Sequence, residues 1–82
     1  MLTGEQIRAA RGLARMEQSE LAAAADVSLE TVKRLEKARG PISANTSTEA
    51  AIRRAFDTAG VIFLDDDEGG GPGVRLRKGP GQ

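Results

Sequence analysis

Two short helical patterns lie almost end to end between residues 17 and 40, and only Asp26, Val27 and Ser28 separate them. The first pattern holds four consecutive alanines, which favour a helix and let a neighbouring backbone come close. Asp26 tolerates left-handed backbone geometry better than most residues, and Ser28 is a favoured N-cap for the second helix. The chain is therefore expected to form two compact helices that meet at a sharp angle.

Signals for helix ends and for strands divide the rest of the chain. A capping box at Thr3–Gln6 opens a first helix, and a second one at 46–49 opens the last helix, which Gly60 ends. Apolar residues at helical spacing predict helices at about residues 4–14, 18–25, 29–38 and 46–59. Short apolar or alternating runs predict strands at 61–64 and 74–77, joined by an acidic, glycine-rich loop.

The predicted fold is mainly α. Residues 1–60 form a four-helix domain, residues 61–78 form a β-strand tail, and residues 79–82 form a disordered end. A chain of 82 residues is long enough for one small domain only. The tail is either a short C-terminal β-hairpin or a set of strands that pair with a second copy, because a lone two-stranded hairpin is marginal in water.

Composition argues against catalysis and against a bound cofactor or metal. The chain has no histidine and no cysteine, which removes the usual general base and the commonest metal ligands. The acidic run at 65–68 does not continue into a calcium-loop pattern. The glycines at 69–73 are not followed by the Gly-Lys-Ser/Thr of a phosphate-binding loop. We therefore expect a protein that is not an enzyme and that needs no cofactor or metal.

Hydropathy and the N-terminus predict a cytoplasmic protein. No apolar run approaches the roughly 20 residues that a membrane span needs. The first residues, Met1 to Glu5, lack the basic and then apolar layout of a signal peptide. We therefore expect no membrane partner.

The net charge is zero, with 12 basic and 12 acidic residues, whereas a nucleic-acid binder is expected to be basic somewhere. The zero average conceals a mild local excess of positive charge. Residues 28–40 hold four basic side chains and two acidic ones, and the four acids at 65–68 cancel that excess in the total. Bulk charge therefore neither supports nor excludes a nucleic-acid partner.

The helical pair in residues 18–38 has the layout of a helix-turn-helix unit. In such a unit the first helix braces against the DNA backbone and the second lies in the major groove. Thr31, Lys33 and Arg34 would face outward on the second helix, and they supply one hydroxyl and two cations for phosphates or guanine acceptors. The alternative interpretation of these charges is an ordinary solvated helix face.

The stretch QSELAAAADVSLETVKRLEKARG resembles the Cro/repressor-type helix-turn-helix family, which is also described as XRE-like or lambda-repressor-like. The resemblance covers about residues 3–60. Its matching positions are Gln18, Leu21, Ala22, Val27, Ser28, Val32, Leu35 and Glu36. Two positions depart from the family pattern, because Asp26 replaces the usual turn glycine and Glu17 replaces the usual Ser or Thr cap.

The resemblance implies a role for individual residues. The residues that it places against DNA are Gln18, Ser28, Leu29, Glu30, Thr31, Lys33 and Arg34. It also implies that Arg11 and Glu36 form a structural tie between the first helix and the end of the third, although a loose surface pair is the alternative. Leu29 either touches a thymine methyl group or covers the turn. Glu30 either accepts from a cytosine amino group or discourages wrong sites.

The tail is predicted to hold two copies together. Residues 61–64 are almost the only strongly apolar run in a chain with two aromatic residues, and an open strand edge of this kind invites association. The expected dimerisation residues are Val61, Ile62, Phe63, Leu64, Val74 and Leu76. A two-fold axis would then place two recognition helices about 34 Å apart on one face of DNA. The alternative is a hairpin that packs on the fourth helix of its own chain.

These features together predict a sequence-specific transcriptional regulator that binds double-stranded DNA as a homodimer. Repression by blocking polymerase is the simplest mechanism for so small a protein. A different class of function remains as the alternative: a protein-interaction module, antitoxin-like or anti-activator, that binds a protein partner through the helical pair or the tail. Zero net charge and the acidic run at 65–68 keep that alternative open.

Overall fold

The computed structural model describes residues 1–79 and contains four helices followed by one two-stranded antiparallel sheet. The elements are α1 (Gly4–Ala14), α2 (Gln18–Ala25), α3 (Leu29–Glu36), α4 (Thr46–Thr58), β1 (Val61–Leu64) and β2 (Gly73–Leu76). This architecture confirms the prediction of a mainly α chain that ends in two strands. The predicted disordered end at 79–82 lies outside the described residues except for Gly79.

Local capping explains why the helices begin where they do. The Thr3 hydroxyl accepts from the Gln6 backbone N–H at 3.0 Å, and the Gln6 side chain accepts from the Thr3 N–H at 2.9 Å, so the first capping box is confirmed. Asp26 ends α2 in the left-handed conformation with φ 55°. Ser28 then caps α3 by accepting from the Thr31 N–H at 3.0 Å.

Three predicted boundaries differ from the structure. Helix α3 ends at Glu36, two residues early, because the Ala38 N–H donates to the Leu35 carbonyl in a tighter turn. The cap of α4 is Asn45, whose side-chain oxygen accepts from the Thr48 N–H at 2.8 Å, so the predicted capping box at 46–49 is wrong. Strand β2 begins and ends one residue earlier than predicted.

One hydrophobic core joins all four helices to the hairpin. Its largest fully buried side chains are Leu2, Ile7, Leu21, Val32, Leu35, Ile52 and Phe56. Helix α2 contacts both α3 and α4, and α1 contacts α3 and both strands of the hairpin. The outward side of α3 is therefore left for solvent, while its inward side is fixed by the core.

The start of α1 lies directly on the end of α3. The Gly4 N–H donates to the Gly40 carbonyl at 3.1 Å, and the Ile42 N–H donates to the Leu2 carbonyl at 2.9 Å. A Cβ atom added at Gly4 would lie 2.1 Å from the Ala38 carbonyl oxygen. The absence of a side chain at Gly4 is what allows the two helices to approach this closely.

The hairpin is held to the helices by its inward face. The strands pair with Val61 opposite Leu76 and Phe63 opposite Val74. The Phe63 ring meets the Phe56 ring edge to face, with centroids 5.6 Å apart. The Gln6 side-chain amide also donates to the carbonyls of residues 64 and 73, each at 3.1 Å, and so anchors the loop end of the hairpin to α1.

Candidate nucleic-acid interface

Helix α3 has one buried side and one exposed side, as expected from its apolar spacing of three residues. Val32 and Leu35 are each 1% exposed and lock the helix onto the core. Glu30, Lys33 and Arg34 are exposed on the other side. We call these three residues the outer face of α3.

The two basic side chains of the outer face differ in whether a hydrogen bond within the chain restrains them. The Arg34 guanidinium donates to the Ser43 carbonyl at 3.0 Å, which holds it toward the loop after α3. Within residues 1–79, Lys33 and Glu30 make no ion pair and no side-chain hydrogen bond. Lys33 is therefore the more readily available cation, and Arg34 is oriented by its own chain.

The polar groups of Ser28 and Thr31, at the start of α3, bond to each other in the N-cap. The Ser28 hydroxyl donates to the Thr31 hydroxyl at 2.9 Å while it accepts from the Thr31 N–H. Leu29 is half-buried and packs against the core. Thr31 is half-buried as well, whereas the sequence predicts that it faces outward.

Arg11 and Glu36 form a tight, largely buried ion pair. The Arg11 Nε atom donates to Glu36 Oε2 at 2.5 Å, and Arg11 Nη2 donates to Glu36 Oε1 at 3.0 Å. The Glu36 side chain is 5% exposed and that of Arg11 is 23% exposed. The hydrogen bond to Glu36 raises the pKa of Arg11, and burial opposes that rise. The structure thus contains the tie that the family resemblance implies.

Gln18 belongs to the same cluster, which sequence reasoning did not reveal. Its side-chain amide donates to Glu36 Oε1 at 3.1 Å, and the Arg8 guanidinium donates to the Glu36 backbone carbonyl. Glu36 therefore joins α1, α2 and α3 at one point. Gln18 is half-buried and held at the start of α2, beside the end of α3, with one amide hydrogen already used.

The six predicted dimerisation residues are divided between two environments. Val61 is buried, and Phe63 and Val74 pack against the core of their own chain. Ile62 is half-buried, and Leu64 and Leu76 are exposed by 36% and 48%. Leu64 and Leu76 are therefore the most accessible of the six to another molecule.

Residues 1–79 contain neither a candidate metal site nor a candidate membrane span. These residues contain no cluster of three or more acidic, histidine or cysteine side chains able to hold a metal ion. No helix among them has the length and apolar character needed to cross a membrane.

Neither a protein-family model nor a curated protein matches this chain. The resemblance to the Cro/repressor-type family therefore stays a prediction that depends on the motif residues themselves.

Proposed function

We propose that this protein is a sequence-specific, double-stranded-DNA-binding transcriptional regulator with a lambda-repressor-like helix-turn-helix domain. The observation that supports it most is the outer face of α3, which presents Glu30, Lys33 and Arg34 while the opposite side is locked by Val32 and Leu35. The major groove of B-DNA is about 12 Å wide and admits an α-helix such as α3. Repression by occupying a promoter is the simplest mechanism.

The chemistry of the outer face suits both backbone and base contacts. Lys33 is a mobile point charge for phosphates, and Arg34 is a planar donor suited to the O6 and N7 acceptors of guanine. Glu30 can accept from the N4 amino group of cytosine. Gln18, held by Glu36 at the start of α2, would position its second amide hydrogen toward a phosphate.

The exposed acidic run at 65–68 favours a second function, that of a protein-interaction module. These four carboxylates repel DNA phosphates and would suit a basic protein partner instead. The two functions predict opposite results when the protein is challenged with a pool of random-sequence duplexes. A regulator enriches a defined sequence, whereas a protein-interaction module enriches none.

Replacing Lys33 by alanine should weaken binding to the enriched duplex by about 5- to 100-fold, because one cation of the outer face is lost. If Lys33 contacts phosphate, the slope of log K against log salt should also fall by about 1. Fluorescence anisotropy at several salt concentrations measures both quantities. Lys78→Ala is the matched control, since it removes an exposed lysine of the tail and should change binding little. Equal losses for the two variants would contradict the assignment of α3 as the reading helix.

A further inference from the structure

Gln6 is a buried side chain that joins α1 to the hairpin. It is 3% exposed, and its Oε1 atom accepts from the Thr3 N–H at 2.9 Å. Its Nε2 atom donates to the Leu64 and Gly73 carbonyls, each at 3.1 Å, and these two residues are the last pair of the hairpin before its loop. Because buried polar groups are costly to leave unpaired, Gln6 favours the state in which all three bonds are made together.

Within residues 1–79, Gln6 makes the hydrogen bonds that connect α1 to the strands of the hairpin. The Met1 amine lies 4.0 Å from the Asp65 carboxylate, but the two groups are 71% and 81% exposed, so this ion pair contributes little. The opposite end of the hairpin is held by α4 instead, where the Arg77 guanidinium donates to Asp57. Gln6 is therefore the polar link between α1 and the loop end of the hairpin.

The start of α1 is bonded in turn to the segment that follows α3. The Ile42 N–H donates to the Leu2 carbonyl at 2.9 Å, and Ile42 is 9% exposed, so packing fixes its position as well. The next residue, Ser43, accepts from the Arg34 guanidinium of the outer face at 3.0 Å. A continuous set of contacts therefore leads from the hairpin, through Gln6 and the start of α1, to Arg34.

We propose that Gln6 is a latch that couples the docking of the hairpin to the conformation of residues 40–43. When the hairpin is docked, Gln6 holds the start of α1 against those residues, and Ser43 keeps Arg34 in place. When the hairpin separates from α1, the Gln6 amide loses both of its carbonyl acceptors, and the start of α1 is held less firmly. Residues 40–43 then move more freely, and so does Arg34.

The latch gives the hairpin a regulatory role that requires no contact between the hairpin and DNA. A protein partner that binds the separated hairpin would weaken DNA binding by changing how Arg34 is presented, without covering α3. The coupling between the hairpin and residues 40–43 is a property of the fold alone. Its effect on DNA rests on the proposed function, and a separate measurement tests it.

Native-state hydrogen exchange followed by NMR tests the coupling in a Gln6→Glu variant. Glutamate still accepts from the Thr3 N–H, so the capping box is kept, but its carboxylate donates to neither hairpin carbonyl. We expect the amides of the hairpin strands and of Ile42 to exchange at least about 5-fold faster, because two buried hydrogen bonds are lost. The rate at Ile42 should stay above that at Phe56 in α4, which reports global unfolding. An unchanged rate at Ile42, or a rate equal to that at Phe56, would overturn the coupling.

Arg77→Ala is the matched control for this measurement. It loosens the end of the hairpin that α4 holds and leaves the bonds of Gln6 in place, so the amide of Ile42 should keep its wild-type exchange rate. If the buried carboxylate of Gln6→Glu prevents folding, Val74→Ala gives the same comparison, because it weakens the packing of the hairpin on the core. Faster exchange in the hairpin of Val74→Ala without faster exchange at Ile42 would also overturn the coupling.

Hydrogen exchange in the presence of the enriched duplex tests the effect on DNA. Because DNA should favour the docked state, saturating duplex should slow exchange of the wild-type hairpin amides by at least about 5-fold, the lower range for coupled sites. Arg34→Ala is the control, since at saturating duplex it should lose most of this slowing. No slowing in the wild type, or equal slowing in both proteins, would contradict the regulatory role. A pool that yields no enriched duplex would instead contradict the proposed function and leave the result at Ile42 unaffected.

Discussion

Replacing Gly4 by alanine should lower the free energy of unfolding by about 3 kcal/mol, the upper range for overpacking of a tight contact. The new Cβ would lie 2.1 Å from the Ala38 carbonyl oxygen and 2.8 Å from that of Leu35. Both atoms belong to the backbone at the end of α3, so no flexible side chain can move aside. The N-terminus of α1 must then separate from α3, which also strains the bond between the Gly4 N–H and the Gly40 carbonyl. Urea unfolding followed by circular dichroism measures the change.

Gly12 provides the matched control in the same helix. No atom lies within 4 Å of a Cβ built at Gly12, and its φ is not positive. Alanine there should stabilise the protein by about 0.5 to 1 kcal/mol, because it restricts the unfolded chain and favours the helix. If both variants gave small effects of the same sign, the close approach of α1 to α3 would be wrong.

Replacing Glu36 by alanine should cost about 3 kcal/mol of unfolding free energy. The change leaves the largely buried Arg11 guanidinium without its carboxylate and removes the acceptor of the Gln18 amide. Removing one partner of a buried ion pair is costly because the other charge stays desolvated. Arg11 retains one hydrogen bond to the Met16 carbonyl, and its side chain is 23% exposed. The loss of unfolding free energy should therefore lie at the lower end of the range for broken buried ion pairs.

The matched control for this prediction is Glu49→Ala. Glu49 pairs with Arg53 at 3.3 Å across one turn of α4, and the Arg53 side chain is 38% exposed. Exposed pairs of this spacing contribute about 0.3 to 0.5 kcal/mol, so the control should unfold almost like the wild type. Similar small losses for both glutamates would show that the cluster around Glu36 is not a structural centre.

Local chemistry explains which parts of the fold were predictable. The start of α1 follows from Thr3 and Gln6, and the turn after α2 follows from Asp26 and Ser28, because a cap involves only residues a few positions apart. The predicted cap of α4 lies one residue too late, since Asn45 and Thr46 are both acceptable caps in sequence. The choice between them depends on the path of the preceding loop.

Contacts between distant residues were not predictable in the same way. The approach of Gly4 to Ala38, and the bonds from Gln6 to the hairpin, join segments separated by 30 to 70 positions. Nothing in the residue types alone marks Gly4 as close-packed and Gly12 as open. The family resemblance and the fold geometry imply the Arg11–Glu36 pair, but the bond from the Gln18 amide to Glu36 has no signature in the sequence.

The candidate site likewise combines features that the sequence predicts with contacts that it does not. The exposure of Glu30, Lys33 and Arg34 follows from helical spacing, because Val32 and Leu35 must face the core. The bond from Arg34 to the Ser43 carbonyl depends on a loop whose conformation has no local signature. The structure thereby distinguishes two cations that look equivalent in sequence.

Amide chemical-shift mapping during titration with the enriched duplex tests the central proposal most directly. The account predicts that the largest shifts fall on Gln18 and on residues 28–34, which surround the outer face of α3. Shifts at residues 61–79 should be small by comparison. Unchanged signals at 28–34, with the largest shifts at the hairpin instead, would contradict the proposal that α3 reads DNA.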